Sequence, residues 1–501
     1  MCGIAGYIRV PDRLSSIDLS IAITQLNHRG PDDSGTFIDQ AAGIGFAHTR
    51  LSIQDLTAAG RQPMKSKDGK FVLIFNGEIY NFRELRKELI EKGFVFNGNS
   101  DTEVILNLYQ VEGSAMLRRL NGVFALALWD ADSDTVLLTR DAFGVKPLYY
   151  SVSETGVQFA SEIKALQSIV HTLDFSALDR YLTFLWCPGE GTPSTQVHKL
   201  GPGEAMCVRR GVIQNRFTWF RLPALRGGAE MTTFFDRKVK DELILNTEAN
   251  LRRAVHRQMV SDVPVGAFLS GGLDSSSIVT FAREQNPDIR CFTIETIGGD
   301  KEGITDDLPY AHRVADHLKV RLEVVRVNSS RMAEDLPSMV SQLDEPLADP
   351  AALNVLYISQ LAREQDIRVL LSGSGGDDLF TGYRRHRALV NEDIWAWLPQ
   401  SIRLGLERMT NGLDQHRPML RRLRKLFNGA SLEGDARLVN YFRWINRRDL
   451  LLLYSTEFRA AFFSHRSQSH LHRQNVDGSW SRGPCPFFGF GTSGICGEDT
   501  W

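Results

Sequence analysis

Long apolar runs, cysteine and net charge are all scarce in these 501 residues. No apolar run reaches the roughly 20 residues that span a bilayer, so no membrane helix is expected. The first residues show no basic region followed by an apolar core, so no secretory leader is expected either. Six cysteines are scattered without metal-ligand spacing, which argues against a zinc module. It fits thiols kept reduced in a cytoplasm, without disulfides. Lys plus Arg (58) nearly balances Asp plus Glu (60), so neither a nucleic-acid nor a membrane surface is indicated. The basic run at 421–425 reads as a solvated helix face. What remains is ordinary core material, 43% apolar, in a chain long enough for about two to four domains.

The chain is organised around Ser270-Gly-Gly-Leu-Asp-Ser-Ser276. It follows the apolar run 263–269 and precedes a helical pattern at 274–284. A strand, a glycine turn and a helix start together seat an anion, because backbone N–H groups are free there and the helix dipole adds positive potential. Gly271 and Gly272 let the backbone approach a phosphate closely. Ser270, Ser275 and Ser276 offer hydroxyls, and Asp274 can hold a cation. No Lys follows the glycines, so this is not the Walker pattern. The plainer alternative is a tight strand–helix turn. The stretch resembles the pyrophosphate loop of the N-type ATP pyrophosphatases, which adenylate a substrate and release pyrophosphate.

The N-terminus reads Met1-Cys2-Gly3-Ile4-Ala5-Gly6. If Met1 is removed, the Cys2 thiol lies beside its own α-amine, whose pKa near 8 suits a base. A lone Cys is otherwise a buried structural residue. The apolar run 71–75 leads into Asn76-Gly77-Glu78, where a side-chain amide and a glycine N–H at a strand end can form an oxyanion hole. Asn-Gly alone suggests a turn. Arg50 suits bidentate grip of a carboxylate, or a surface salt bridge. Asp101 opens a helical pattern and can bind an amino group, while Ser100 reads equally as a helix cap.

As a set these residues resemble the glutamine site of the class II glutamine amidotransferases. The resemblance extends through His28-Arg-Gly-Pro-Asp-Asp33, Arg140-Asp141, Gly144-Val-Lys-Pro-Leu-Tyr149 and Ser161-Glu-Ile-Lys-Ala165. It implies an α+β N-terminal-nucleophile fold of two β-sheets between helices (αββα). Cys2 is then the nucleophile, and Asn76 and Gly77 form the oxyanion hole. Arg50 and Asp101 anchor glutamine, with Leu51, Ile53 and Glu78 lining the pocket.

Beyond residue 240, strand-like and helix-like runs alternate, which implies a parallel sheet with helices on both faces. Ligands sit at the carboxyl ends of such strands. After the last apolar run (367–371) comes Ser372-Gly-Ser-Gly-Gly-Asp-Asp378. Its carboxylates can bind Mg²⁺ between phosphates, or it is a flexible acidic loop. It resembles the second ATP motif of the glutamine-hydrolysing asparagine synthetases. By that match Ser372 and Gly373 contact ATP, Asp377 joins Asp274 at Mg²⁺, and Phe268, Leu269 and Ile294 line the adenine pocket. Two residues depart from the motif. Ser374 stands at the adenylate-forming position, where a carboxylate is common, and Asp378 stands in place of Glu. Asp344-Glu-Pro346 and Asp349-Pro350 match relatives from surface-polysaccharide gene clusters.

The expected organisation is a glutamine amidotransferase unit at 2–212, a linker at 213–235, and an α/β ATP-pyrophosphatase unit at 236–463 that reads as incomplete. Residues 464–501 carry little aliphatic material and cannot build a core. Codons that fit 474–488, read two bases later, spell K-M-S-M-A-H-G-V-E-A-R-V-P-F, which is the family's continuation. A shifted reading frame near Phe463 is therefore expected. The resemblance implies amidation of aspartate through β-aspartyl-AMP, with glutamine as donor and ATP and Mg²⁺ as cofactors. Ammonia would pass internally between the sites. Another carboxylate acceptor, such as a uronic acid, and a product with glutaminase activity alone are the alternatives. The expected protein is cytoplasmic, and a homodimer is compatible with the resemblance.

Overall fold

The computed structural model describes residues 1–10, 17–169, 172–222, 237–297, 307–349, 351–414, 417–445, 447–460 and 462. The 223–235 part of the expected linker and the tail 464–501 lie outside these. Twelve strands form the first unit: β1 Gly3–Arg9, β2 Asp33–Asp39, β3 Ile44–Arg50, β4 Met64–Lys65, β5 Phe71–Ile79, β6 Gly122–Asp130, β7 Thr135–Arg140, β8 Tyr149–Ser153, β9 Gly156–Ala160, β10 His198–Lys199, β11 Glu204–Arg209 and β12 Val212–Thr218. They make two six-stranded sheets, in the orders β10-β8-β9-β1-β3-β2 and β12-β11-β7-β6-β5-β4. The second sheet runs on past residue 212, the expected end of this unit, to Thr218.

Alternation along the strands builds the layers. Ile4 and Ile8 of β1 meet Val72 and Ile74 of β5 in the core between the sheets. Ala5 and Tyr7 face the other way, onto Leu19, Ala22 and Leu26 of the helix Leu19–Leu26. Leu73 and Phe75 likewise turn outward to the helices Phe82–Glu91 and Asp101–Glu112. Helix, sheet, sheet and helix thus stack in the expected αββα order.

The second unit holds β13 Val265–Phe268, β14 Arg290–Ile297, β15 Arg321–Asn328 and β16 Val369–Leu371. They form a parallel sheet in the order β15-β14-β13-β16. Helices Arg237–Gln258, Leu273–Gln285 and Leu308–Leu318 contribute Val255, Ile278, Val279 and Ala315 to one face. The helix Ala351–Glu364 contributes Ile358 and Ala362 to the other. Chain order reverses between β13 and β16, so the ligand crevice lies beyond their carboxyl ends. No helix among the described residues is long and apolar enough to cross a membrane.

The halves touch at several points. Asp262 N–H donates to Ile53 O at 3.0 Å, and its carboxylate accepts from Asp55 N–H at 2.8 Å. Arg368 pairs with Asp32 at 2.8 Å. Ala348 N–H donates to Leu185 O at 2.9 Å.

Phe159 is fully buried between the sheets, its ring edge-on to Phe46 with centroids 5.8 Å apart. Phe159→Ala should cost about 3–5 kcal/mol, read as a lower urea midpoint for the first unit. A loss under about 1 kcal/mol would show that the ring does not bear on that core.

Candidate active sites

Cys2 precedes β1, and β1 pairs antiparallel with β3, Gly3 opposite Thr49. Residue 2 therefore lies beside the end of β3, where Arg50 and Leu51 follow. The Cys2 thiol approaches Leu51 O at 3.8 Å, and Arg29 Nε donates to Cys2 O at 2.9 Å. Arg29 is held by Glu162 at 2.6 Å, and Glu162 also meets His28 at 3.0 Å and Lys164 at 2.9 Å.

Asn76 and Gly77 do not end a strand as expected. β5 continues through them to Ile79, with Asn76 opposite Ala125 and Gly77 opposite Phe124. Cross-strand pairing overrides the turn preference of Asn-Gly. Phe75 N–H goes to Gln62 Oε1 at 2.6 Å and Ile79 N–H to Asp101 Oδ2 at 2.9 Å. Backbone groups alternate along a strand, so Gly77 N–H points the same way, where β4 has already ended. The Asn76 side chain points with Val72 and Ile74 toward the first sheet. His48 of β3, opposite Ile4, reaches Phe75 O there at 3.2 Å. Asn76 is fully buried, and neither its amide nitrogen nor its oxygen has a partner among the described residues. An unpaired buried amide is costly unless a ligand completes it.

Arg50 is less free than expected. Its guanidinium donates to Thr57 O at 3.1 Å, Gln54 O at 3.3 Å and Asp55 O. Three donors are engaged, and two of the five remain for a carboxylate. Ile53 turns its carbonyl to Asp262 of the second half. Gln54 donates to Glu78 at 2.5 Å. Ser100 does cap the helix Asp101–Glu112.

Burial dominates the protonation of this site. It pushes the Cys2 thiol up and lowers the Met1 amine to about 5. Met1 as a residue is half exposed, but its amine is sunk beside Cys2, Lys146 and Arg29. Burial, with the Asp101 charge added, holds Glu78 well above the carboxylate range. Burial raises Asp101 to about 6. It also lowers Lys146, with Arg29 adding to the effect. The roles of Lys146, Arg29 and Glu162 were missed in the sequence. All three lie in the recognised motifs, but only the fold brings them to Cys2.

In the second half, the loop after β13 begins with Ser270. Gly271 is left-handed, at φ 80°. A Cβ there would stand 2.4 Å from the Tyr310 carbonyl carbon. Gly272 starts the helix Leu273–Gln285 with no side-chain cap, leaving the first N–H groups for a ligand. The hydroxyls of Ser270 and Ser275 meet at 3.0 Å, and Ser276 donates to Gly272 O at 2.7 Å.

The loop after β16 lies against this one. A Cβ on Gly373 would stand 2.8 Å from the Asp274 carbonyl carbon and the Ser275 nitrogen. A Cβ on Gly376 would stand 2.2 Å from the Asp274 carboxylate. Gly373 is therefore required for close approach at backbone level, while at Gly376 the neighbour is the Asp274 side chain. Burial and then the neighbouring Asp377 charge raise Asp274. Two carboxylates that repel in this way fit a divalent cation. No cluster of three or more His, Cys, Asp or Glu among the described residues could hold a metal. Asp274 and Asp377 are the residues that could hold a Mg²⁺ carried largely by phosphate oxygens. Ser374 is exposed and meets Ser372 Oγ at 2.7 Å. Asp378 pairs with Arg385 at 3.2 Å.

The three residues expected at adenine do not converge. Phe268 and Ile294 pack on the face covered by the helix Ala351–Glu364, and Leu269 packs in the core of the opposite face. Adjacent strand positions point to opposite faces.

Comparison with known proteins agrees with this two-site architecture. Residues 1–219 match the family model described as glutamine amidotransferase domain, and 246–476 match asparagine synthase. The putative asparagine synthetase (glutamine-hydrolyzing) 2 of Methanocaldococcus jannaschii is 31% identical over 427 residues, covering 81% of this chain and 80% of that protein. Asparagine synthetase (glutamine-hydrolyzing) 1 of Bacillus subtilis is 34% identical over 415 residues, covering 80% of this chain and 62% of that one. Amidase chyE of Penicillium rubens is 29% identical over 441 residues, covering 80% and 63%. The chain belongs to the glutamine-hydrolysing asparagine synthetase family. It spans a little under two thirds of the length of several relatives, 62% for the B. subtilis protein.

Below pH of about 6, Asp101 takes up a proton and loses the charge that would grip an ammonium group. The KM for glutamine should be flat above that pH and rise about tenfold per unit below it. Asp101→Asn should raise KM at every pH and remove the bend. Steady-state glutaminase assays across pH check this, and a wild-type KM that stays flat to about pH 5 would contradict it.

Proposed function

We propose that the chain transfers the amide nitrogen of glutamine to a carboxylate activated by ATP, with aspartate as the acceptor and asparagine as the product. The observation that carries the reading is the union, on one chain, of the orphaned Asn76 amide near Cys2 with two glycine loops locked together at a sheet's switch point. Cys2 attacks the glutamine side-chain carbonyl, and the oxyanion is met by Asn76 Nδ2 and Gly77 N–H. Removal of Met1 would leave Cys2 with a free α-amine beside its thiol, a group whose ordinary pKa near 8 suits a base. That amine takes the thiol proton and returns it to the leaving ammonia. Water then cleaves the thioester to glutamate. Arg50 and Asp101 hold the carboxylate and ammonium of glutamine.

In the second half the acceptor carboxylate attacks the α-phosphorus of ATP and pyrophosphate leaves. The loop 270–276 receives the pyrophosphate through backbone N–H groups and the helix N-terminus. Ser372 and Gly373 face the nucleotide. Mg²⁺ at Asp274 and Asp377 would neutralise charge that develops on the leaving oxygens. Ammonia then displaces AMP from the acyl-adenylate.

A second reading is amidation of a different carboxylate, such as a uronic acid. Ser374 supports it, because a hydroxyl tied to Ser372 replaces an acid at the adenylate-forming position. The amidase relative is consistent with acceptors other than aspartate within the family.

The test supplies glutamine, ATP, Mg²⁺ and aspartate to the full chain. AMP, pyrophosphate, glutamate and asparagine in equal amounts support the first reading. AMP formed with a uronate but not with aspartate supports the second. Glutamate without AMP under any acceptor would overturn both.

Gly373→Ala adds a test of the loop contact. Its Cβ would push the two loops apart at backbone level. Acceptor-dependent ATP–pyrophosphate exchange should fall about 100-fold while glutaminase activity is kept. Exchange at the wild-type rate would show that the loops need not touch.

A further inference from the structure

The halves also meet at a short acidic turn that follows the helix Ser329–Gln342 of the second half. Glu345 accepts from the Tyr149 hydroxyl at 2.9 Å and from the Lys199 ammonium at 2.8 Å. Both donors belong to the first half, and the ion pair is largely buried. Asp344 Oδ1 accepts from Ile163 N–H at 2.9 Å. The preceding residue is Glu162, 4% exposed, which holds Arg29 at 2.6 Å. Arg29 Nε donates to Cys2 O at 2.9 Å. These contacts form an unbroken path from the ATP half to the backbone of the thiol residue. Every link is of good hydrogen-bonding length.

We propose that Asp344 is a positioning residue for Cys2. It fixes the backbone at 162–163, which sets where Glu162 holds Arg29 and therefore where the thiol stands against Asn76 and Gly77. The Tyr149–Glu345–Lys199 cluster anchors the same turn, so Asp344 cannot drift without breaking a buried ion pair. The path ends at Cys2 and bypasses Arg50 and Asp101. Its failure therefore affects turnover rather than glutamine affinity. The conformation of the ATP half reaches the glutaminase centre through this turn. The inference rests on the reading of Cys2 as the nucleophile.

The test is glutaminase kinetics on the full chain, wild type against D344A, D344N and E345Q. D344A removes the acceptor from Ile163 N–H. Its kcat for glutamate release should fall about 10- to 100-fold, with KM changed less than about twofold. D344N keeps an oxygen that can accept the same bond and should restore kcat to within about threefold of wild type. AMP formation driven by added ammonia needs only the second half and should be unchanged in both. Wild-type kcat in D344A would overturn the proposal, as would a loss shared equally by KM or by ammonia-driven AMP formation. Should D344A not fold, E345Q decides: a lower kcat at constant KM supports the path, and unchanged kinetics overturn it. Wild-type chain that releases no glutamate would overturn the Cys2 reading itself, which is visible before any substitution is made.

Discussion

Exclusion of water from the space around Cys2 governs the residues there more than any single charge pair does. Burial is the largest influence on the thiol, the Met1 amine, Glu78, Asp101 and Lys146. It pushes each toward its neutral form. The thiol, the amine and the two acids are therefore all biased toward uncharged forms in the absence of a ligand. The two-sheet core creates this condition. Ile4 and Ile8 on one side and Val72 and Ile74 on the other press β1 and β5 together and close the site's inner wall.

The second half works on a different principle. Its proposed anion seat is open, and the attraction there would come from backbone geometry. The order β15-β14-β13-β16 places the loops after β13 and β16 side by side, although about a hundred residues of chain separate them. Gly271 lets its loop approach the backbone of Tyr310 and Ala311, and Gly373 and Gly376 bring the other loop onto Asp274. The close approach leaves no room for a side chain, and it presents N–H groups and two carboxylates to one small volume.

Much of this was legible from residue types at short spacing. Cys2, Asn76-Gly77, the serine–glycine loop and the Ser372–Asp378 loop are each singled out by residue types that lie close together in the sequence. Relations across long stretches of chain were not legible. Arg29 meets Glu162 from 133 residues away, and Ile163 meets Asp344 from 181 away. Local preference also misled at Asn76-Gly77, where pairing with β6 keeps the strand straight. Phe268 and Leu269, adjacent at the end of β13, pack their side chains on opposite faces of the sheet, a relation that alternation makes readable in the sequence. For Arg50, only the folded loop reveals that three of its donors already serve the carbonyls of 54, 55 and 57.

Arg29 grips residue 2 by its carbonyl oxygen, a group every amino acid carries. The anchor is therefore indifferent to what side chain stands there. On the proposed reading, removing the sulfur would silence the chemistry but leave the main chain moored in the same place. Such a silent chain could hold an intact glutamine molecule in its pocket long enough for it to be seen, a still image of the step before bond making.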